Sequence, residues 1–194
     1  FRSDIKQTPK YSMKTLAYHE ATPGHHHQIA HSLENDELTL YRRFGYSTSA
    51  FSEGWALYSE QLALEAGLAP DPYDELGILQ SEIFRAVRLV VDTGIHYKKW
   101  TREEAIAYMK AKTGMSDTEC RVEIERYIVW PGQALSYKVG MIKILELREK
   151  AMNALGDKFN IKDFHSAVLD NGNPPLFIVE QMVDEMIAEA LETN

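Results

Sequence analysis

The sequence has one cysteine, Cys120, among its 194 residues, and it lacks any apolar run of about 18 residues that could span a membrane. A single cysteine cannot form an internal disulfide bond, so the fold has to be held by its hydrophobic core. The chain also lacks a basic excess, because 29 acidic side chains outnumber 21 basic ones and the formal net charge is −8. Nucleic-acid binders usually present a basic face, so this charge argues against nucleic acid as a partner.

Strand patterns are scarce as well, since no long alternating run of β-branched residues occurs. Hydrophobic residues make up 44% of the chain and charged residues 26%, which is ordinary for a globular protein. No linker is long enough to divide the chain. The sequence therefore predicts an all-α fold, an irregular multi-helix domain that spans residues 1–194. Because it begins with Phe1 instead of methionine, we expect it to be part of a longer protein.

Start and stop signals predict where the helices lie. Thr101 and Ser116 each precede a glutamate by three residues, which is the capping-box pattern that opens a helix. Gly67 is placed to end another helix. We expect helices over 9–33 with an interruption at Pro23-Gly24, and over 37–44, 52–66, 73–100, 101–114, 116–130, 133–155 and 176–191.

Histidines are concentrated near the N-terminus, where five of the seven lie between positions 19 and 31. The first, His19, is followed by Glu20, as in the HExxH motif of zinc peptidases. In that motif two histidines one helical turn apart bind zinc, and the glutamate acts as general base. Here the position of the second histidine is occupied by Pro23.

The Pro23-Gly24 pair provides another way for a second histidine to reach the metal bound by His19. On a regular helix His25 would lie about 9 Å along the axis from His19, too far to share a metal ion. Proline disrupts the helix and glycine permits unusual dihedral angles, so we expect a bulge that returns a later histidine to His19. A bulge of two residues selects His25, which we favour, and a bulge of three selects His26. The competing interpretation is a solvated run of histidines that binds metal only adventitiously.

A third metal ligand is predicted in the segment from Phe51 to Leu62. Helical spacing places Glu53 and Glu60 on one face among leucines, so both carboxylates are expected to be buried. Buried carboxylates are costly unless they are paired or bind a metal. Glu53 is therefore a candidate third ligand, and Glu60 is a candidate partner for a ligand histidine. The competing interpretation pairs both glutamates with arginine or lysine from another helix.

Four motifs together resemble a known bacterial family, domain of unknown function eight-eight-five. They are HEATPGHH at His19–His26, EGWALYSE at Glu53–Glu60, RLVVDTGIH at Arg88–His96 and PGQALSYKVG at Pro131–Gly140. Members of that family are longer, so the resemblance implies that this chain is a C-terminal, metal-binding part. The family is similar to gluzincin metallopeptidases. The resemblance implies His19, His25 or His26, and Glu53 as zinc ligands, with Glu20 as base.

Two further side chains are candidates for stabilising the oxyanion of a tetrahedral intermediate, which gluzincins do with a histidine or tyrosine. Arg88, Asp92 and His96 form one helical stripe, in which Asp92 would orient a neighbour while His96 faces the metal. Tyr137 is the second candidate. The competing interpretations are a surface Arg–Asp pair and a core tyrosine.

The expected function is that of a zinc peptidase. Zinc would lower the pKa of a bound water and polarise a peptide carbonyl, and Glu20 would carry the proton from the water to the leaving amine. One alternative is a helical domain that binds metal without catalysis. Another is a helical interaction domain whose histidines bind nothing specific. The sequence is compatible with either the bacterial cytoplasm or the periplasm and cell envelope.

Overall fold

The computed structural model describes residues 9–45 and 47–192, and within them all regular structure is helical. Expectations for residues 1–8, 46 and 193–194 lie outside the described residues. The all-α prediction is confirmed, and none of the helices described is long and apolar enough to cross a membrane. The α-helices are α1 Ser12–Glu20, α2 His25–Glu34, α3 Ser49–Glu65, α4 Pro72–His96, α5 Arg102–Thr113, α6 Asp117–Val129, α7 Ser136–Leu155, α8 Ile161–Leu169 and α9 Leu176–Glu192.

The helices pack around two hydrophobic clusters. The larger is built by α3, α7, α8 and α9, with residues such as Trp55, Ile144 and Phe164 almost entirely buried. The smaller is built by α4, α5 and α6, with Met109 and Ile124 at its centre. Helix α1 lies against both α3 and α4, so its C-terminal end reaches the boundary between the two clusters.

Two glycines allow α3 and α7 to approach until their backbones touch. A Cβ atom at Gly54 would lie 2.5 Å from the backbone of Gly140, and one at Gly140 would lie 1.8 Å from the carbonyl oxygen of Ala50. Neither helix can therefore carry a side chain at this crossing. Glu53 precedes one glycine and Tyr137 is one turn before the other, so the crossing fixes the spacing of these two side chains.

Most helix ends follow the predicted signals. Both capping boxes form, with Thr101 accepting from the backbone of Glu104 and Ser116 from that of Glu119. The expectation for 37–44 is wrong in its type, because a π-helix at Tyr41–Gly45 replaces the α-helix. Three-residue 3₁₀-helices precede and follow α7, at Gln133–Leu135 and Gly156–Lys158.

Sequence analysis missed α8 entirely. This helix has only nine residues, too few for a strong periodic pattern. Its N-cap is Asn160, whose side chain accepts a hydrogen bond from the backbone of Lys162. Asn160 followed by apolar residues at 161, 164 and 168 is the signal that could have revealed it.

Candidate metal centre

The chain breaks completely between α1 and α2. Helix α1 ends at Glu20 and α2 begins at His25, so the expected bulge inside one helix is instead a loop between two helices. The carbonyl oxygen of Pro23 accepts hydrogen bonds from Trp55 Nε1 at 2.9 Å and from Ser59 Oγ at 3.2 Å. These contacts anchor the loop on α3.

Gly24 lets the loop fold back against the end of α1. A Cβ atom there would lie 1.9 Å from the carbonyl oxygen of His19, so no other residue fits without a shift of the backbone. The return of the chain brings the ring centroids of His19 and His25 to 4.9 Å, with the rings nearly perpendicular. His26 points away and is exposed on α2. The structure thus brings His25, and not His26, to His19.

Glu53 from α3 completes a cluster of three potential metal ligands. One ligand atom from each of His19, His25 and Glu53 lies within 4.8 Å of the other two. Glu53 Oε2 lies 3.2 Å from His25 Nε2 and 3.8 Å from His19 Nε2. Two imidazoles and one carboxylate form the ligand set of a catalytic zinc site. We refer to these three residues as the histidine–glutamate cluster.

The protonation state of Glu53 suits a cation. Burial alone would raise the pKa of Glu53, but the neighbouring His19 and His25 rings outweigh it and lower that pKa to about 2. The carboxylate is therefore ionised at neutral pH. Its Oε2 atom is buried and makes no well-aligned hydrogen bond to any described residue. A buried, ionised oxygen without such a partner is what a metal ligand requires, so the donor set fits zinc.

Glu60 fixes the orientation of the His19 ring by contacting its Nδ1 atom. Its Oε1 atom lies 2.7 Å from His19 Nδ1, and only 1% of the residue is exposed. Because a carboxylate only accepts, Nδ1 carries the proton and Nε2 is the atom left to face Glu53. Burial lowers the pKa of His19, but the hydrogen bonds with Glu53 and Glu60 raise it overall.

Tyr137 lies beside the cluster. Its ring stacks on that of His19 with centroids 6.0 Å apart and an interplanar angle of 18°. After burial and the two histidines, Tyr137 is a further influence on the pKa of Glu53 and helps to lower it. The guanidinium carbon of Arg88 lies 4.2 Å from the centroid of the Tyr137 ring. The structure therefore brings Tyr137 to the side of the histidine–glutamate cluster.

The structure does not bring His96 to the cluster. Its Nε2 donates to the carbonyl oxygen of Tyr127 at 3.0 Å, and it lies about 12 Å further along α4 than Arg88. A metal-facing His96 does not match this position, and the α4 residues seen against the Tyr137 ring are Arg85 and Arg88, about two to three turns earlier. Asp92 accepts a hydrogen bond from the backbone of Gly132 and so braces the break before α7.

Glu20 is the last residue of α1, exposed and next to His19. Sequence analysis identified this residue, but it missed Arg85, which lines a cleft of about 640 Å³ together with His19 and Glu60. No local pattern singles out Arg85, because Glu82, one turn earlier, is available as its partner. Glu82 instead binds Lys138, at 2.6 Å.

A scan of protein families matched residues 2–183 to DUF885, described as a bacterial protein of unknown function. A search of curated proteins returned no match. Among solved structures, a "putative lipoprotein" from Colwellia psychrerythraea is 54% identical, with a TM-score of 0.92 over 97% of this chain. A "putative lipoprotein of unknown function" from Shewanella oneidensis is 28% identical, with a TM-score of 0.84 over 92% of this chain.

This chain spans about a third of both solved proteins, 32% of each. The family match covers nearly all of its residues, and the solved relatives share its fold over the same range. The chain therefore belongs to the bacterial family of unknown function DUF885.

Proposed function

We propose that this chain is the metal-binding part of a zinc-dependent peptidase that hydrolyses peptide bonds. The observation that supports it best is the convergence of His19, His25 and Glu53 from three helices on a space of metal-ion size. Sequence separation makes this convergence informative, because 14 residues lie between the end of α2 and the start of α3 and no local pairing forces them together. Glu60, which orients His19, adds the outer carboxylate that ligand histidines usually have.

Each nearby side chain then has a role. His19, His25 and Glu53 would hold the zinc ion, which when bound acts as a Lewis acid on a carbonyl group and lowers the pKa of water. Glu20 accepts the proton of the attacking water and returns it to the leaving amine. The hydroxyl of Tyr137, whose ring stacks on that of His19, donates to the oxyanion when substrate is bound.

The names of the two solved relatives support a proposal about where in the cell this chain acts. Both are called lipoproteins, and a lipoprotein is held at a membrane by its lipid. We extend this to the present chain and propose that it acts in the bacterial cell envelope.

The test measures zinc content and peptide hydrolysis in the full-length protein that carries this chain. We expect one zinc ion per chain in the wild type. Glu20→Gln is expected to keep that zinc and to lose at least about a hundredfold in hydrolysis rate, the usual contribution of a general base. Glu34→Gln, at an exposed position of α2, is the matched control and is expected to leave both unchanged.

The outcomes separate the alternatives. Zinc binding without hydrolysis of any peptide by the wild type would favour a non-catalytic metal-binding domain. Full activity in Glu20→Gln would exclude this mechanism. If the wild type does not retain zinc at neutral pH after loading without chelator, both the zinc peptidase and the non-catalytic metal-binding domain are excluded.

A further inference from the structure

Two arginines near the histidine–glutamate cluster differ from several others in what they contact. Four arginines of the described residues bind carboxylates, namely Arg43, Arg102, Arg126 and Arg148. Arg85 and Arg88 have no carboxylate partner in the described part of the chain. In a protein with a net charge of −8, acidic partners are abundant, so two unpaired arginines side by side require an explanation.

The groups in direct contact with these two arginines are aromatic or neutral. Arg85 donates to Ser81 Oγ at 2.8 Å, and its guanidinium carbon lies 5.1 Å from the ring centroid of Phe84. Arg88 is only 2% exposed and reaches Gln133 Oε1 at 3.4 Å. The Nε atoms of both arginines are buried without a hydrogen-bond partner among the described residues. Burying a charge is costly without an opposite charge. No described carboxylate forms an ion pair with either arginine, although Glu123 is near enough to interact electrostatically with Arg88.

Arg85 lines the same cleft as His19 and Glu60. Among the described residues of the cleft wall, Glu60 binds His19 through Oε1 and Glu119 accepts from the hydroxyl of Ser116, while Glu60 Oε2 is buried without a hydrogen-bond partner. Thr15 Oγ1 is buried in the same cleft wall and has no hydrogen-bond partner among the residues described. An anionic group that enters would therefore meet the guanidinium of Arg85, the one arginine or lysine side chain among the described residues that line the cleft. The volume of about 640 Å³ is that of an ordinary small-ligand pocket.

We propose that this cleft binds a carboxylate group of the peptide substrate, which Arg85 holds. The inference rests on the proposed peptidase function and specifies its substrate class. The planar fork of arginine matches a carboxylate with two parallel hydrogen bonds. Arg88 supports Arg85 with a second positive charge, since both guanidinium groups lie against the rings of Phe84 and Tyr137. His19 borders the cleft beside Glu60 and the metal cluster beside Glu53, so a carboxylate held at Arg85 is separated from the cluster by the His19 ring.

Binding measurements test this without relying on turnover. An N-acetylated dipeptide with a free C-terminal carboxylate and its C-terminal amide are titrated by calorimetry into the zinc-loaded full-length protein. We expect the acid to bind at least about tenfold more tightly than the amide, since charge-assisted hydrogen bonds to a carboxylate are stronger than those to a neutral amide. Arg85→Gln is expected to abolish this preference, Arg85→Lys to retain part of it, and the exposed-site control Arg121→Gln to leave it intact.

A second pair of ligands identifies the source of the carboxylate. Peptide amides with an internal glutamate or glutamine show whether an acidic side chain replaces the C-terminus at Arg85. Equal binding of acid and amide forms in both ligand pairs overturns the inference, as does a preference that survives in Arg85→Gln.

Hydrolysis of the same peptides separates this inference from the proposed function. An Arg85-dependent preference in a protein that cleaves no peptide supports the carboxylate site and refutes the peptidase. Cleavage of peptides without an Arg85-dependent preference for the acid form supports the peptidase and refutes the carboxylate site. Zinc content measured in every variant shows that the cluster is intact.

Discussion

Helix α3 and the pair α5 and α6 place their carboxylates in opposite environments. In α5 and α6 the glutamates of the first turn are exposed or half-buried, and Glu104 and Glu119 close capping boxes there. Negative charge at a helix N-terminus is stabilising, so these residues follow the local rules of helix formation. In α3 the carboxylates of Glu53 and Glu60 lie in the middle of the helix, each with a buried oxygen that lacks a well-aligned partner among the described residues.

The difference shows what each region is built for. Carboxylates in α5 and α6 stabilise helix ends, whereas those in α3 cost free energy that the hydrophobic core has to supply. Carboxylates that are buried at a cost in stability and lie beside histidines are typical of functional sites. The comparison predicts that substitutions in α3 alter metal binding, while equivalent substitutions in α5 and α6 alter only stability.

The largest effect is expected at Glu53. Glu53→Gln should lower zinc affinity by more than about a hundredfold, because a neutral amide is a poorer zinc ligand than a carboxylate. Competition with a chromogenic chelator measures the dissociation constant. Glu60→Gln, which leaves the ligands in place, should weaken zinc binding by about 10–100-fold.

Glu104→Gln on α5 serves as the matched control and should leave zinc affinity unchanged. If Glu53→Gln holds zinc as tightly as the wild type does, the ligand assignment is wrong. Circular dichroism of each variant establishes that the helices remain formed.

A smaller effect, on pH dependence, is expected from His165, which is hydrogen-bonded to Tyr58 of α3 at 2.8 Å. Burial lowers the pKa of His165 to about 4. Between pH 6.5 and pH 4 the unfolded chain therefore takes up a proton that the folded chain refuses, so stability falls as the pH falls through this window. After allowance for partial solvent screening, we expect the loss to be about 1–2 kcal/mol.

Urea unfolding of the metal-free protein at pH 6.5 and at pH 4.5 measures this loss. His165→Asn should reduce the difference between the two pH values, whereas His26→Asn, at an exposed position of α2, should leave it as in the wild type. An unchanged difference in His165→Asn would show that another group is responsible.

The smallest effect is expected at the capping boxes. Thr101→Ala and Ser116→Ala each remove a side-chain acceptor of the N3 backbone N–H, which costs about 1 kcal/mol in the free energy of unfolding. Zinc affinity should not change in either variant, because neither helix contributes to the cluster. A loss of zinc binding in these variants would contradict the separation between α3 and the α5–α6 pair.

Local signals predicted much of the fold. The capping boxes and Pro23-Gly24 depend on short-range chemistry, so the sequence indicated correctly where α5, α6 and the break after α1 lie. His19, His25 and Glu53 were identifiable because metal ligands are few in type and their spacing is constrained. Whether His25 or His26 faces His19 depends on the loop conformation, which the sequence leaves open.

Long-range packing determined what the sequence did not predict. Arg85 is recognisable only when Glu82 is seen to bind Lys138 instead. His96 shares a helical stripe with Arg88, but which turn of α4 meets α7 is a tertiary property that helical spacing does not contain. Helix α8 is short and depends on α9 and on the larger hydrophobic cluster for its stability.

The crossing of Gly54 and Gly140 has a consequence for motion. Because the backbones of α3 and α7 touch there, sliding or opening between these two helices would separate surfaces that fit without intervening side chains. Glu53 and Tyr137 therefore move as one rigid body. The loop between α1 and α2 is anchored on α3 as well, through the carbonyl oxygen of Pro23, so His19 and His25 are tied to the helix that carries Glu53. A metal ion bound by all three residues would therefore meet ligands whose spacing the packing has already set.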